Sequence, residues 1–245
     1  MWRSSTERSP FQELDAQPVG CLCLEALLEW NFGEIASSRI TMAEAISLAK
    51  ELNDMHGLAV ALSCAAALAY YVNPTEVDRL ATDLIELSTR HNFMHWLGAE
   101  AVYRGWARSA SGDTAEGISW IEQGIRDFRA IGAIRNLPRL LMLNAEALYL
   151  ANRTSEALEE IREAEILIER IEGGWLSSGL HRLRAVFLTA MGAEEEQIEA
   201  SFCAAIRIAK EQKSVSFAKR AEVTYAEYLR QKGNASPGHG FRLPL

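Results

Sequence analysis

Apolar residues recur at three- and four-residue spacing through most of this chain. In Thr154–Ile171, for example, Ala157, Leu158, Ile161 and Ala164 fall on one face of a helix. No run shows the strict alternation of apolar and polar residues that is typical of an exposed strand. The pattern therefore predicts an all-α chain built from amphipathic helices.

The predicted helices form repeating units. A small residue is followed seven positions later by a turn residue six times, and successive turn residues are 40, 39, 40, 40 and 41 positions apart. The pairs are Ala26/Gly33, Ala66/Asn73, Gly105/Gly112, Ala145/Asn152, Ala185/Gly192 and Ala226/Gly233. A constant period of this length indicates a helical repeat array. We expect each small residue to lie where the first helix of a unit (helix A) crosses the second (helix B), because close packing there requires a short side chain.

The register predicts five helix pairs of about 40 residues and a final helix without a partner, which would cap the open end. The A helices are predicted over Val19–Asn31, Leu58–Tyr71, Phe93–Ala110, Leu137–Leu150, Ser178–Met191 and Ser216–Gln231. The B helices are predicted over Ser38–Leu52, Thr75–Thr89, Thr114–Ile131, Thr154–Ile171 and Glu194–Gln212. Pro74 and Pro138 lie where helices begin, and Thr114 and Thr154 are suitable N-caps. Residues 19–233 are thus predicted to form one repeat domain, with a loosely ordered segment at 1–18 and a Pro- and Gly-containing tail at 234–245.

Charge and composition narrow the classes of partner. The formal net charge of -8 disfavours a nucleic-acid partner, because no excess of basic residues could replace the counterions of a phosphate backbone. The longest uncharged run, Gly57–Thr75, is rich in Ala and Ser and resembles an inner helix more than a membrane span. The start of the chain has no signal-peptide pattern, and the four scattered cysteines are typical of buried thiols in a reducing compartment. We therefore expect a cytoplasmic protein without nucleic-acid or membrane partners.

Candidate catalytic and metal sites are weak. His91 and His95 have the i, i+4 spacing of helical metal ligands, but no third ligand or general base lies near them. The chain has neither a phosphate-binding G-x-x-x-x-G-K-[ST] loop nor a G-x-S-x-G nucleophile motif. The sequence therefore predicts a non-enzymatic protein without a cofactor or a metal.

The repeat pattern resembles the tetratricopeptide family, although the usual unit of that family is shorter, at about 34 residues. A more specific likeness lies at Trp175–Ala185, which reads WLSSGLHRLRA, and at Glu199–Lys210, which reads EASFCAAIRIAK. These segments resemble "W-x-x-x-E-L-H-R-L-R-G" and "E-A-x-F-x-x-A-L-x-I-A-R" in the C-terminal repeat region of bacterial class III adenylate/guanylate cyclases and large predicted ATPases. Ser214–Leu229 fits the last helix of that region, whereas Gly179 stands where those proteins usually have Glu.

The resemblance implies a right-handed superhelical solenoid whose A helices line a concave groove. By that analogy the partner-binding groove would contain Trp30, Tyr70, Trp106, Met142, Glu146, Tyr149 and Arg182. The main hypothesis is a non-catalytic scaffold that binds a protein or peptide partner, with homo-oligomerisation left open. The alternative is a detached regulatory or sensor arm of a nucleotidyl cyclase or signalling ATPase that binds a small ligand.

Overall fold

The computed structural model describes residues 10–171 and 174–233 of the chain. Eleven α-helices occur in that part: α1 (Pro10–Asn31), α2 (Ile35–Glu51), α3 (Met55–Ala69), α4 (Pro74–His91), α5 (Met94–Ala110), α6 (Thr114–Ala130), α7 (Leu137–Leu150), α8 (Thr154–Ile171), α9 (Ser177–Ala190), α10 (Glu195–Glu211) and α11 (Val215–Gly233). A short 3-10 turn at Gly174–Leu176 precedes α9. The described residues contain no strand.

The helices pack as five consecutive pairs, from α1/α2 to α9/α10, and α11 packs against the last pair. The A helices (α1, α3, α5, α7, α9 and α11) also contact one another from unit to unit and form an inner layer. The central A helix, α7, is buried along Leu137–Leu148, whereas the B helices expose one polar face. The structure thus confirms the predicted all-α solenoid of five pairs and a capping helix.

The turns explain the period. Four of the six predicted turn residues adopt positive φ: Gly33, Gly112, Asn152 and Gly192. Asn73 acts differently, since its backbone is extended and its side chain accepts a hydrogen bond from the Thr75 amide at the start of α4. Positive φ residues also end most B helices, at Asn53, Asn92, Gly132 and Lys213. Asn and Gly at these positions agree with their tolerance of the left-handed region.

The small residues lie at helix crossings as expected. Ala26, Ala66, Ala145 and Ala185 have no exposed surface, and Gly105 is buried. The tightest crossing is that of α5 and α6, where a Cβ on Gly105 would lie 2.5 Å from the Gly117 carbonyl oxygen. The sixth small residue, Ala226, is exposed, because it lies on α11, which has no B helix among the described residues.

Some boundaries differ from the prediction. Helix α1 begins at Pro10 rather than at Val19, with Pro18 inside it, since proline removes one helical hydrogen bond without always ending a helix. The N-cap of α6 is Asp113 rather than Thr114, and its carboxylate accepts a hydrogen bond from the Glu116 amide. The rest of the predicted loose segment, residues 1–9, and the predicted tail at 234–245 lie outside the described residues.

The expected burial of the cysteines is only partly right. Cys23 is buried and Cys64 is partly buried, but Cys21 and Cys203 are exposed. The two exposed thiols lie on α1 and α10, respectively. Among the described residues, no helix is long and apolar enough to cross a membrane.

Candidate binding site

The structure buries six of the seven predicted groove residues. The exposed fraction is 7% for Trp30, 5% for Tyr70, 1% for Trp106, 2% for Met142, 3% for Glu146 and 4% for Arg182. Tyr149 is half-buried, with its ring 5.1 Å from that of Phe187. Six of the seven side chains are thus buried in this structure, and their part in partner binding stays a prediction. The physical reason for the burial is that the inner faces of the A helices meet one another.

The buried carboxylate of Glu146, on α7, connects this helix to α5, to α9 and to the end of α3. Oε1 of Glu146 accepts a hydrogen bond from the Tyr70 hydroxyl at 2.7 Å, and Oε2 accepts one from the Trp106 indole at 2.9 Å. The Arg182 guanidinium lies 3.5 Å from Oε1. We call these four residues the Glu146 cluster. Burial raises the pKa of the Tyr70 hydroxyl most, and the neighbouring Glu146 charge raises it further. Tyr70 therefore remains a neutral hydrogen-bond donor.

A second group of buried polar residues flanks the cluster. The Arg139 guanidinium donates a hydrogen bond to the Tyr71 hydroxyl at 3.2 Å and lies 4.7 Å from the centre of the Trp175 ring. These contacts join the turn after α3, helix α7 and the 3-10 turn before α9. Arg139 is 6% exposed, so it is an internal contact between repeats rather than a surface charge.

Glu100 on α5 is a buried carboxyl of another kind. It has no exposed surface, and neither of its oxygens has a hydrogen-bond partner of good geometry among the described residues. Burial raises its pKa to about 8, and the Ser63 side chain lowers it by a smaller amount. Glu100 is therefore mostly protonated near neutral pH, because burial without a counter-charge disfavours the ionised form.

The two ends of the solenoid touch. At the seam between α1 and α11, the Ser216 hydroxyl donates to the Trp30 carbonyl, and the Ser214 hydroxyl donates to the Asn31 side chain at 2.6 Å. The Trp30 ring stacks on Tyr71 with centroids 4.2 Å apart and meets the edge of Phe217 at 5.2 Å. The superhelix thus closes on itself, which is why its inner face is filled.

A cavity of about 400 Å³ opens beside this seam. Its lining combines aromatic and aliphatic surface with basic side chains and comes mostly from the α1–α2 turn and α11, with further residues after α3 and on α9. The lining residues are Trp30, Gly33, Ile35, Tyr71, Val72, Arg182, Val215, Ser216, Lys219, Arg220, Val223 and Thr224. Its volume lies in the range of small-molecule pockets. This seam cavity is the site that we regard as the candidate binding site.

Three basic side chains, Arg182, Lys219 and Arg220, line the seam cavity. Arg220 lies 5.0 Å from the centre of the Tyr71 ring and donates to the Tyr71 carbonyl at 3.4 Å. Burial lowers the pKa of Arg182 most, and the charge of Arg220 lowers it further. The Glu146 carboxylate has the opposite effect but does not outweigh them. The cavity therefore carries a positive charge that the adjacent protein groups do not neutralise fully.

Two of the predicted groove residues, Trp30 and Arg182, line this cavity, whereas Tyr71, Lys219 and Arg220 line it without having been predicted. The signal for Arg220 was present in α11, where Ser216, Arg220 and Val223 recur on one helical face. The role of Lys219 and Arg220 depends on the contact of α11 with α1, and a repeat pattern does not report whether the ends of a solenoid meet.

The two histidines considered as metal ligands are separated by a turn. His91 ends α4 and His95 is the second residue of α5. The His91 ring stacks on Phe93, with centroids 5.6 Å apart, and the His95 ring lies 5.5 Å from that of Phe128. The described residues contain no group of three or more His, Cys, Asp or Glu that could hold a metal ion.

Comparison with known proteins agrees with this architecture. The family model described as anaphase-promoting complex subunit 5 matches residues 18–70 and 179–232. These two segments cover most of α1 and of α11, the helices that meet at the seam. An uncharacterized protein of Rhizobium meliloti, R02095, is 26% identical over 226 residues, which is 92% of this chain and 22% of that protein. The chain thus spans about a fifth of the length of this curated relative.

Two solved structures share the fold. Bacillus thuringiensis PlcR, in a complex with the peptide PapR7 and DNA, superposes with a TM-score of 0.66 at 16% identity, over 91% of this chain and 76% of PlcR. A Pyrococcus horikoshii signal transduction ATPase of the STAND class, with a tetratricopeptide repeat sensor, gives a TM-score of 0.51 at 16% identity, over 88% of this chain and 34% of that protein. The fold is that of a tetratricopeptide-like helical repeat protein.

Proposed function

We propose that this chain is a non-catalytic binding module that takes a short peptide or a protein segment into the seam cavity. The observation that supports the proposal most directly is the cavity itself, which combines the apolar surface of Trp30 and Val223 with the charges of Arg182 and Arg220. Aromatic and arginine side chains dominate the binding energy of many interfaces. The fold likeness to PlcR, whose structure contains a bound peptide, is compatible with such a role.

The volume of the cavity limits the length of the segment that it can bind. About 400 Å³ accommodates only a few residues, so the rest of a longer partner would lie outside on the rim. The rim carries exposed apolar side chains, since Val215 and Val223 are 53% and 51% exposed. Both ends of the solenoid would then contact the same ligand.

Selection from a displayed random peptide library tests this proposal. Val223→Asp places a carboxylate on the rim, whereas Leu229→Asp places one on the same helix, at a residue that is 43% exposed and outside the cavity lining. We expect selected peptides to bind the parent and Leu229→Asp alike, and Val223→Asp at least tenfold more weakly. Failure to enrich any peptide, or equal binding to both variants, would contradict the proposal.

A second candidate is a regulatory or sensor arm of a nucleotidyl cyclase or signalling ATPase. Two observations favour it: the chain matches about a fifth of a much longer relative, and it shares its fold with an ATPase that has a tetratricopeptide repeat sensor. If a cyclase or ATPase is encoded beside this chain, we expect its nucleotide turnover to change when the purified chain is added. Unchanged turnover at saturating chain concentration would argue against this function.

A further inference from the structure

The charge of the seam cavity is opposite to that of the whole chain. The chain has a net charge of -8, yet the cavity lining contains Arg182, Lys219 and Arg220 and no acidic residue. Some exposed arginines elsewhere pair with carboxylates, as Arg153 does with Glu156 at 2.5 Å. Among the described residues, no ion pair joins Lys219 or Arg220 to a carboxylate. The cavity is therefore a local concentration of positive charge in an acidic protein.

Arg182 is the buried member of this group. It is 4% exposed, and its contact with Glu146, at 3.5 Å, is long for a hydrogen bond. Glu146 already accepts hydrogen bonds from Tyr70 and Trp106 at 2.7 and 2.9 Å. The Arg182 guanidinium, which also lines the cavity, thus retains donor capacity that Glu146 does not use.

Arg220 is the second guanidinium in the cavity lining. Arg220 is half-buried, and its guanidinium is positioned by the ring and the carbonyl of Tyr71. Lys219 precedes it on α11 and is exposed at the mouth. An oxyanion between two guanidinium groups would accept charge-assisted hydrogen bonds from both and relieve the repulsion between them.

We propose that the seam cavity binds a carboxylate, with Arg182 and Arg220 as its donors and Lys219 at the mouth, while Trp30 and Val223 contact the apolar part of the same ligand. The inference deepens the proposed function and rests on it: in a bound peptide the carboxylate is the free C-terminal end. A small organic acid would offer the same group without a peptide.

Calorimetric titration of the full chain separates these sources. The probes are a pool of N-acetylated apolar tetrapeptides with a free C-terminal acid, the same pool as C-terminal amides, and citrate. The test variant is Arg220→Gln, and the matched control is Arg207→Gln on the outer face of α10, where Arg207 pairs with Glu211. Circular dichroism melting of each variant checks its folding.

We expect the acid pool to bind at least tenfold more tightly than the amide pool, and Arg220→Gln but not Arg207→Gln to remove most of that preference. Binding of citrate alone, lost in Arg220→Gln, would support the carboxylate site and overturn the peptide function. Equal binding of both pools would overturn the carboxylate inference and leave the peptide function standing. Binding of no probe would overturn the inference.

Discussion

The Tyr70 hydroxyl donates a hydrogen bond to Oε1 of Glu146 at 2.7 Å, although 76 residues separate them in the sequence. Trp106 donates to the second oxygen of the same carboxylate. One side chain of the fourth unit is thus bonded to the second and the third units. In an ordinary repeat array each unit contacts its neighbours only. The Glu146 cluster therefore couples the units through the interior of the superhelix as well as along its length.

Replacement of Glu146 by Ala should destabilise the protein strongly. The variant leaves the buried Arg182 charge and two buried donors without their acceptor, and loss of one member of a buried charged pair typically costs about 3–5 kcal/mol. Glu211→Ala removes an exposed partner of Arg207 and should change stability by no more than about 0.5 kcal/mol. Urea unfolding of both variants measures the difference. A Glu146→Ala variant as stable as Glu211→Ala would show that the cluster does not hold the units together.

Gly105→Ala should also be destabilising, although alanine favours helices. The new Cβ would lie 2.5 Å from the Gly117 carbonyl oxygen and 2.8 Å from Ile121, so α5 and α6 must move apart. Overpacking of this kind typically costs about 1–3 kcal/mol, more than the gain of up to about 1 kcal/mol in helix propensity.

Gly20→Ala is the matched control for that crossing. Gly20 also lies within a helix, but nothing is within 4 Å of an added Cβ there. We expect its melting temperature to rise or hold while that of Gly105→Ala falls. If both rise, the α5/α6 crossing is looser than the structure indicates.

Glu100→Gln should change how stability depends on pH. The pKa of Glu100 in the folded chain is about 8, above its ordinary value of 4.5, so the folded state binds this proton more tightly than the unfolded state. The contribution of Glu100 to the free energy of unfolding is therefore greatest below pH 4.5. It decreases as pH rises from 4.5 to about 8 and is constant above that. A shift of this size corresponds to an effect on the order of 5 kcal/mol.

The test is the stability difference between Glu100→Gln and the parent at pH 5 and at pH 9. We expect the difference to shift in favour of the variant at pH 9, whatever its value at pH 5. Glu211→Gln, at an exposed glutamate, should show no comparable shift. A difference that is independent of pH would mean that Glu100 titrates normally.

Trp30→Ala should open the seam. It removes the stacking on Tyr71 and the edge contact with Phe217, and truncation of a buried aromatic side chain costs about 3–5 kcal/mol. We expect faster amide hydrogen exchange in α11 as well as in α1, with smaller changes in α5 and α6. The control is Phe32→Ala, because Phe32 is 51% exposed. Exchange that changes in α1 alone would show that the ends are not coupled.

Most of the fold could be predicted because it is a local property repeated at constant spacing. The pairing of Ala26 with Gly33, for example, reports a helix crossing and a turn within one unit, and both occur. The start of α1 was not predictable in this way, since Pro18 has the sequence signature of a boundary but lies inside the helix. The close approach of Gly105 and Gly117 could not be predicted from the pattern of a single helix. The equivalent crossings of α1, α3, α7 and α9 have alanine, so the repeat does not indicate that this one is tighter.

The candidate site was less predictable, because it depends on curvature. The sequence indicates which residues face inward, and Glu146 and Arg182 do so. It does not report the small rotation between successive units, which decides whether the inner face stays open or closes. In this protein the inner face closes, so inward-facing residues such as Trp106 are part of the core. The accessible cavity lies at the seam instead, where Lys219 and Arg220 are found.

The contact between α1 and α11 restricts how the number of units can change. An open solenoid lengthens or shortens by whole units, because each addition creates one more interface of the same type. In this protein an inserted unit would displace Ser216 from Trp30 by the width of a helix pair, and a deleted unit would leave them unable to meet. Five pairs and a closing helix thus behave as a ring of fixed circumference, in which the unit count is itself a structural constraint.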